Sequence, residues 1–127
     1  MALGKKQQAW VDSLRKHPER QMAGKLGIGT PDNYKACCLG EALCVLARLN
    51  KKRLPFDMMA ISDGGNMNYL SNGYKKLGIL GSNGELNKGF TLKGWNSLSS
   101  ANDEGATWTE IADFIEAHPE AVFIKSV

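Results

Sequence analysis

Residues 34–50 read YKACCLGEALCVLARLN, a nearly unbroken apolar run with helical character. On a helical projection Cys38, Leu39, Ala42, Leu43, Val45, Leu46 and Leu49 cover most of the circumference, and only Gly40, Glu41 and Arg48 interrupt them. A helix apolar over most of its surface is normally buried on several sides, so other elements are expected to pack around this one. The remaining stripe is polar. Cys37, Glu41, Cys44 and Arg48 follow at spacings of four, three and four, which places them on one helical face. The spacing predicts a helix over about 31–49, with Thr30 as cap, Pro31 at the first position and Asp32 at the positive end. With Asn33 as the cap instead, Cys37 and Cys38 enter the first turn, where a thiol pKa is lowered.

Around it, residues 4–16 form an amphipathic pattern with Trp10, Val11 and Leu14 apolar, stopped at His17-Pro18 because proline disfavours helical geometry in the residue before it. Residues 20–29 are glycine-rich and suit a loop or short strand. Lys51-Lys52-Arg53 complements a helix C-terminus. Residues 54–61 are extended or loop, Asp63-Gly64-Gly65-Asn66 is a turn, and a short helix is expected at about 68–77 with Gly78 as its stop. Leu92, Trp95 and Leu98 predict another helix over 91–99, broken by Asn102-Asp103-Glu104-Gly105. Thr107 and Glu110 form a capping box before Trp108, Ile111, Ala112 and Ile115, and this helix too ends at His-Pro, here His118-Pro119. Residues 121–124 suggest a short strand. The expected fold is α+β, mainly α: a single compact domain over 1–127, with about five helices around the 31–49 helix and a few short strands.

At 127 residues, 43% apolar and 23% charged, the composition suits one folded domain and excludes a disordered chain. No stretch approaches the ~18 apolar residues of a membrane span, and no signal-peptide core is present at the N-terminus. Three cysteines, two adjacent, make a poor disulfide framework, so reduced thiols in the cytoplasm are expected. Charge is polarised. Residues 1–53 hold eleven Lys/Arg against four Asp/Glu, and residues 54–127 hold five against nine. That marks the first half as the side for an anionic partner, although a basic cluster at a helix end has a structural explanation of its own.

The chemistry-bearing residues are few. A Cys-His hydrolase needs a histidine within hydrogen-bond reach of the thiol. His17 and His118 both occur as His-Pro-Glu at helix ends, where they already have a structural role. Cys-Cys-x5-Cys matches no zinc spacing, and no glycine loop is followed by Gly-Lys-Ser/Thr, so no metal and no cofactor are expected. Glu41 and Arg48 either bracket a polar contact or form the solvated side of a core helix. Asn102-Asp103 is a polar turn.

Trp10, Leu14 and Arg15, then Gln21, Gly24 and Leu26, then Cys37-Cys38-Leu39-Gly40 with Leu43 and Cys44, and finally Asn102-Asp103 before Trp108 to Ile115 together resemble a family of small uncharacterised proteins of tailed bacteriophages and prophages. In the family pattern an aromatic residue directly precedes the two cysteines, whereas Lys35-Ala36 separates Tyr34 from Cys37 here. The resemblance implies expression in a bacterial host's cytoplasm and supplies no catalytic residues. The expectation is therefore a phage-type accessory protein acting as a non-enzymatic binding module for a host protein or a small-molecule or nucleotide signal. Gln21, Cys37, Glu41, Arg48, Asn102 and Asp103 are its candidate binding residues. No membrane partner is expected, and nucleic acid is a lesser candidate. The alternative is a small thiol-dependent enzyme using Cys37 or Cys38.

Overall fold

Helix α1 spans Lys5–Lys16, and its apolar stripe of Trp10, Val11 and Leu14 is wholly buried, as the periodicity requires. The structure, a computed structural model, describes residues 1–30, 32–51, 75–81 and 83–127. At the start of α1 the buried Gln7 amide accepts from Gly4 N (2.9 Å) and donates to the carbonyls of Leu77 (2.9 Å) and Lys125 (2.7 Å), joining the N-terminus to two distant segments. The helix stops at His17 (φ −129°, ψ 51°), and a 3₁₀ turn follows at Pro18–Arg20. The second His-Pro repeats this construction.

The first departure from expectation comes next. Strand β1 (Gly27–Thr30) pairs antiparallel with β2 (Asn33–Ala36), in register from Gly27–Ala36 to Thr30–Asn33. Asn33–Ala36 was expected to be helical, yet Tyr34 and Ala36 are buried while Asn33 and Lys35 are exposed, the period-two pattern of a strand. Pairing with β1 satisfies this backbone, so Thr30 lies in a strand and caps nothing. Gly29, at φ 123°, is required there: a Cβ would sit 2.5 Å from the Asn33 carbonyl oxygen. Helix α2 accordingly begins late and spans Cys38–Leu49, with Cys37 as its N-cap and the Cys37 thiol accepting from Gly40 N at 3.4 Å. The starts at residue 31 and Asn33 are both replaced by this one.

α2 is apolar on nearly every side, and every residue from Cys38 to Ala47 is buried. α1 packs against it, and Trp10 Nε1 donates to the Cys38 carbonyl at 2.9 Å. Gly40 admits the chain from β1: a Cβ would lie 1.9 Å from the Leu26 carbonyl oxygen, which accepts from Cys37 N at 3.1 Å. Trp10, Cys38, Leu39, Leu43, Leu46, Trp108, Ile111 and Ile115 belong to one contiguous buried cluster, and Trp10 meets Phe123 edge-on at 6.1 Å.

Residues 91–99 do not form the expected helix. Leu92 and Trp95 exchange two backbone hydrogen bonds of 2.9 Å across a tight turn in which Lys93 (φ 52°) and Gly94 (φ 86°) both adopt left-handed geometry. The Leu92, Trp95, Leu98 spacing imitated a helix, but Leu92 is buried and Trp95 is 40% exposed. Helix α3 (Leu98–Asp103) starts only after the Ser97 cap, so Asn102 and Asp103 end a helix and Glu104-Gly105 makes the break. Helix α4 (Trp108–Ala117) opens with the expected reciprocal box, Thr107 Oγ1 accepting from Glu110 N (3.1 Å) and Glu110 Oε1 from Thr107 N (3.0 Å). It packs on α1 and ends at His118. Residues 121–124 are not a strand: Pro119–Val122 form a helical turn, α5, and only Phe123 bridges, to Ile79.

Six helices, one of them the 3₁₀ turn, thus have both ends within the described residues, beside one two-stranded antiparallel sheet. Residues 75–77 are helical and stop at Gly78. The rest of the helix expected at 68–77, the segment 54–61, the turn at 63–66, Pro31, Lys52 and Arg53 lie outside the described residues.

Candidate functional site

Five of the six candidate binding residues fall into two groups, and the sixth, Cys37, stands apart at the N-cap of α2. Gln21, Asn102 and Asp103 form the first. Asn102 Oδ1 accepts from Cys38 N (3.1 Å), Gln21 Nε2 (3.1 Å) and Trp108 Nε1 (3.2 Å), while its Nδ2 donates to the Met22 carbonyl (2.8 Å). Gln21 also donates to the Ala106 carbonyl (2.7 Å) and accepts from Trp108 N (3.1 Å), and Asp103 Oδ1 accepts from Gly24 N (3.0 Å). These side chains border an open cleft of about 430 Å³ with Met22 and Ala106, but the Gln21 and Asn102 amides are spent on the fold. They clasp the loop after α1, the start of α2 and the α3–α4 junction. A ligand would find few free polar groups there.

The second group is a charge cluster under the hairpin. One turn into α2, the Glu41 carboxylate is fully buried, so the solvated-face reading fails at Glu41, while Arg48 two turns on is exposed. A buried carboxylate is costly without partners, and three groups supply them. The Tyr34 hydroxyl donates to Glu41 Oε1 and itself accepts from Arg20 Nη1 (2.9 Å) and Arg48 Nη2 (2.6 Å). The guanidiniums lie 3.6 Å from the carboxylate, Arg20 at Oε2 and Arg48 at Oε1, yet Oε2 receives no hydrogen bond. Both also sit over the Tyr34 ring, at 4.6 Å and 5.4 Å from its centroid. Burial above all, with Cys44 and Glu41 nearby, pushes the Tyr34 phenol well up, so it remains a neutral donor.

Among the described residues, one carboxylate is in ion-pair contact with the two guanidiniums. Glu41 is sealed, but the Arg20 and Arg48 side chains are 22% and 41% exposed. A recess of about 280 Å³ opens beside Arg20, Tyr34 and Lys35. Sequence reasoning found Glu41 and Arg48 and missed Arg20 and Tyr34. The buried-exposed alternation of residues 33–36 was the available signal for Tyr34. For Arg20, which only the hairpin's placement brings to the site, there was none.

All three thiols are buried. Burial pushes Cys38 well up, and burial followed by the Glu41 charge does the same to Cys44. Cys37 stands at the N-cap of α2, its thiol accepting from Gly40 N. The histidines are engaged elsewhere: His17 Nδ1 lies 3.3 Å from Glu19 Oε1, and His118 packs between Phe90 and Phe114. Among the described residues no group of His, Cys, Asp or Glu is arranged to hold a metal ion. No protein-family model, curated protein or solved structure matches this chain.

Proposed function

We propose that this protein is a phage-type accessory protein acting in a bacterial host's cytoplasm as a non-enzymatic binding module, a single domain built on α2 that captures a host protein or a small-molecule or nucleotide signal. The observation that carries the binding reading is the pair of surface-reaching arginines hydrogen-bonded to the Tyr34 hydroxyl beside one shared buried carboxylate. Side chains locked by packing and hydrogen bonds lose little freedom on meeting a ligand. Burial of the thiols supports binding over catalysis. The phage provenance rests on the resemblance of the motif residues. For the cytoplasm, the supporting fact is that no helix among the described residues is long and apolar enough to cross a membrane.

A specific observation favours a second reading. Cys37 caps α2, the position from which a thiol-dependent enzyme would work. One titration separates the two. Purified protein is added to bacterial extract or to a panel of nucleotides, and depletion of the free partner is followed. Binding predicts depletion at about one molecule per target, a ligand released unchanged on heat denaturation, and an unaltered result with Cys37→Ser. A chemically changed ligand, with the effect lost in Cys37→Ser, would replace binding by catalysis.

A further inference from the structure

We infer that Arg20 and Arg48 form a receptor for a small oxoanion, a phosphate or carboxylate group, held against the edge of Tyr34. This names the ligand class of the proposed binding site and rests on that reading.

Each guanidinium carries five N–H donors in a planar fork. One from each is committed to the Tyr34 hydroxyl. At 3.6 Å the contacts with Glu41 are ion pairs without hydrogen bonds, so most of the donors remain unspent. Both bond the same hydroxyl oxygen, and among the described residues the buried Glu41 is the one carboxylate in ion-pair contact with either guanidinium. Two adjacent like charges gain from a second anion on their open side. A planar or tetrahedral oxoanion matches the fork geometry, with two oxygens for parallel N–H donors. Glu41 cannot serve as the recognition group, since it is sealed. Its part is to position the arginines through Tyr34.

The recess beside Arg20 limits what enters. Glu19 and Asp32 border it along with Lys35. Glu19 is turned towards His17, and its backbone carbonyl accepts from Lys35 Nζ at 2.9 Å. The two rim carboxylates oppose every anion, and a long polyanion such as a nucleic-acid backbone most, because it brings several charges close to them.

The test is thermal unfolding of the full chain in rising inorganic phosphate, with sodium chloride adjusted to constant ionic strength, and a parallel series in acetate. A ligand that binds only the folded state raises the midpoint along a saturating curve. The expected result is saturation in the parent and a loss of apparent affinity of at least about tenfold in Arg48→Gln, with Arg48→Lys intermediate because the charge remains and the fork is gone. Lys88→Gln, at an exposed site outside the cluster, should bind like the parent. Phosphate saturating without acetate assigns a phosphate group, and both saturating assigns the wider oxoanion class. An absent shift, a shift linear in salt, or one of equal size in Arg48→Gln overturns the proposal. If stoichiometric capture from extract persists while phosphate and acetate fail, the ligand class is wrong and the binding reading stands. If capture fails as well, both fall.

Discussion

The Asn102 side-chain oxygen accepts the backbone N–H of Cys38 at 3.1 Å, across 64 residues of chain. The same oxygen accepts from Trp108 and Gln21, so one amide fixes the start of α2 against the junction before α4. Residues that looked like a ligand-binding set from their polarity are the staple that holds their segments together.

Asn102→Ala should therefore be among the costly single changes. It strands the Cys38 amide and the Trp108 indole N–H at buried positions and the Met22 carbonyl at a part-buried one, and each buried unsatisfied group costs ~1–3 kcal/mol. A total loss of roughly 3 kcal/mol or more is expected in urea unfolding. A loss below about 1 kcal/mol, the net worth of one ordinary hydrogen bond, would show that water replaces the clasp.

Gly40→Ala offers a test in which two effects oppose. Alanine is favoured over glycine within a helix by ~1 kcal/mol, but here its Cβ would lie 1.9 Å from the Leu26 carbonyl oxygen. The backbone must move, at ~1–3 kcal/mol or more for overpacking. Net destabilisation is expected, measured by thermal or urea unfolding. A stabilised variant would mean that the loop before β1 yields freely.

Tyr34→Phe and Glu41→Gln should show overlapping costs. Losing the phenol removes a charge-assisted hydrogen bond worth ~1.5–3 kcal/mol and releases both arginines from their common acceptor. Residues in one network couple by ~0.5–3 kcal/mol, so the double variant is expected to lose less than the two singles combined. Additive losses in a double-mutant cycle would dissolve the cluster into independent contacts.

At the start of α4, Thr107→Ala should cost ~1 kcal/mol and Glu110→Ala less, with the double variant again below additivity. Lys93 lies 2.8 Å from Glu110, so high salt should shrink the Glu110 effect and leave the Thr107 effect in place. Equal salt sensitivity of the two would contradict this division.

Local rules located much of this. The apolar period of Trp10, Val11 and Leu14 and the Thr107 box each report on neighbours within a few residues, so α1 and α4 were legible. The pairing of residues 27–30 with 33–36 depends on partners across a turn, and it overrode helix-start signals at Thr30 and Pro31 that were sound locally. Lys93-Gly94 lacks the usual Asn-Gly signature of its turn, and leucine spacing suggested a helix in its place. Within the charge cluster, Glu41 and Arg48 share a helix face and could be paired from sequence. Arg20 and Tyr34 reach them only through tertiary folding.

Alkaline pH should reveal the two thiols whose pKa burial raises, Cys38 and Cys44. An ordinary cysteine thiol titrates near ~8.5, and burial raises both Cys38 and Cys44 above that in the folded protein. Raised folded-state values mean that stability is fully present below the unfolded pKa and is lost as pH climbs above it, because the unfolded chain releases protons that the native state keeps. Each thiol adds a slope of up to ~1.4 kcal/mol per pH unit. Tyr34, also raised by burial, joins above about pH 10. Urea unfolding under reducing conditions from pH 7.5 to 10 should show a flat region followed by a steepening fall. Cys44→Ala also shifts the whole curve through its packing, so the slope is the quantity to compare, and about half of it should disappear below pH 10, where the tyrosine is still silent. A native thiol at position 44 that titrates near its ordinary value, or a slope unchanged in Cys44→Ala, would contradict a Cys44 sealed beneath Tyr34 and Glu41.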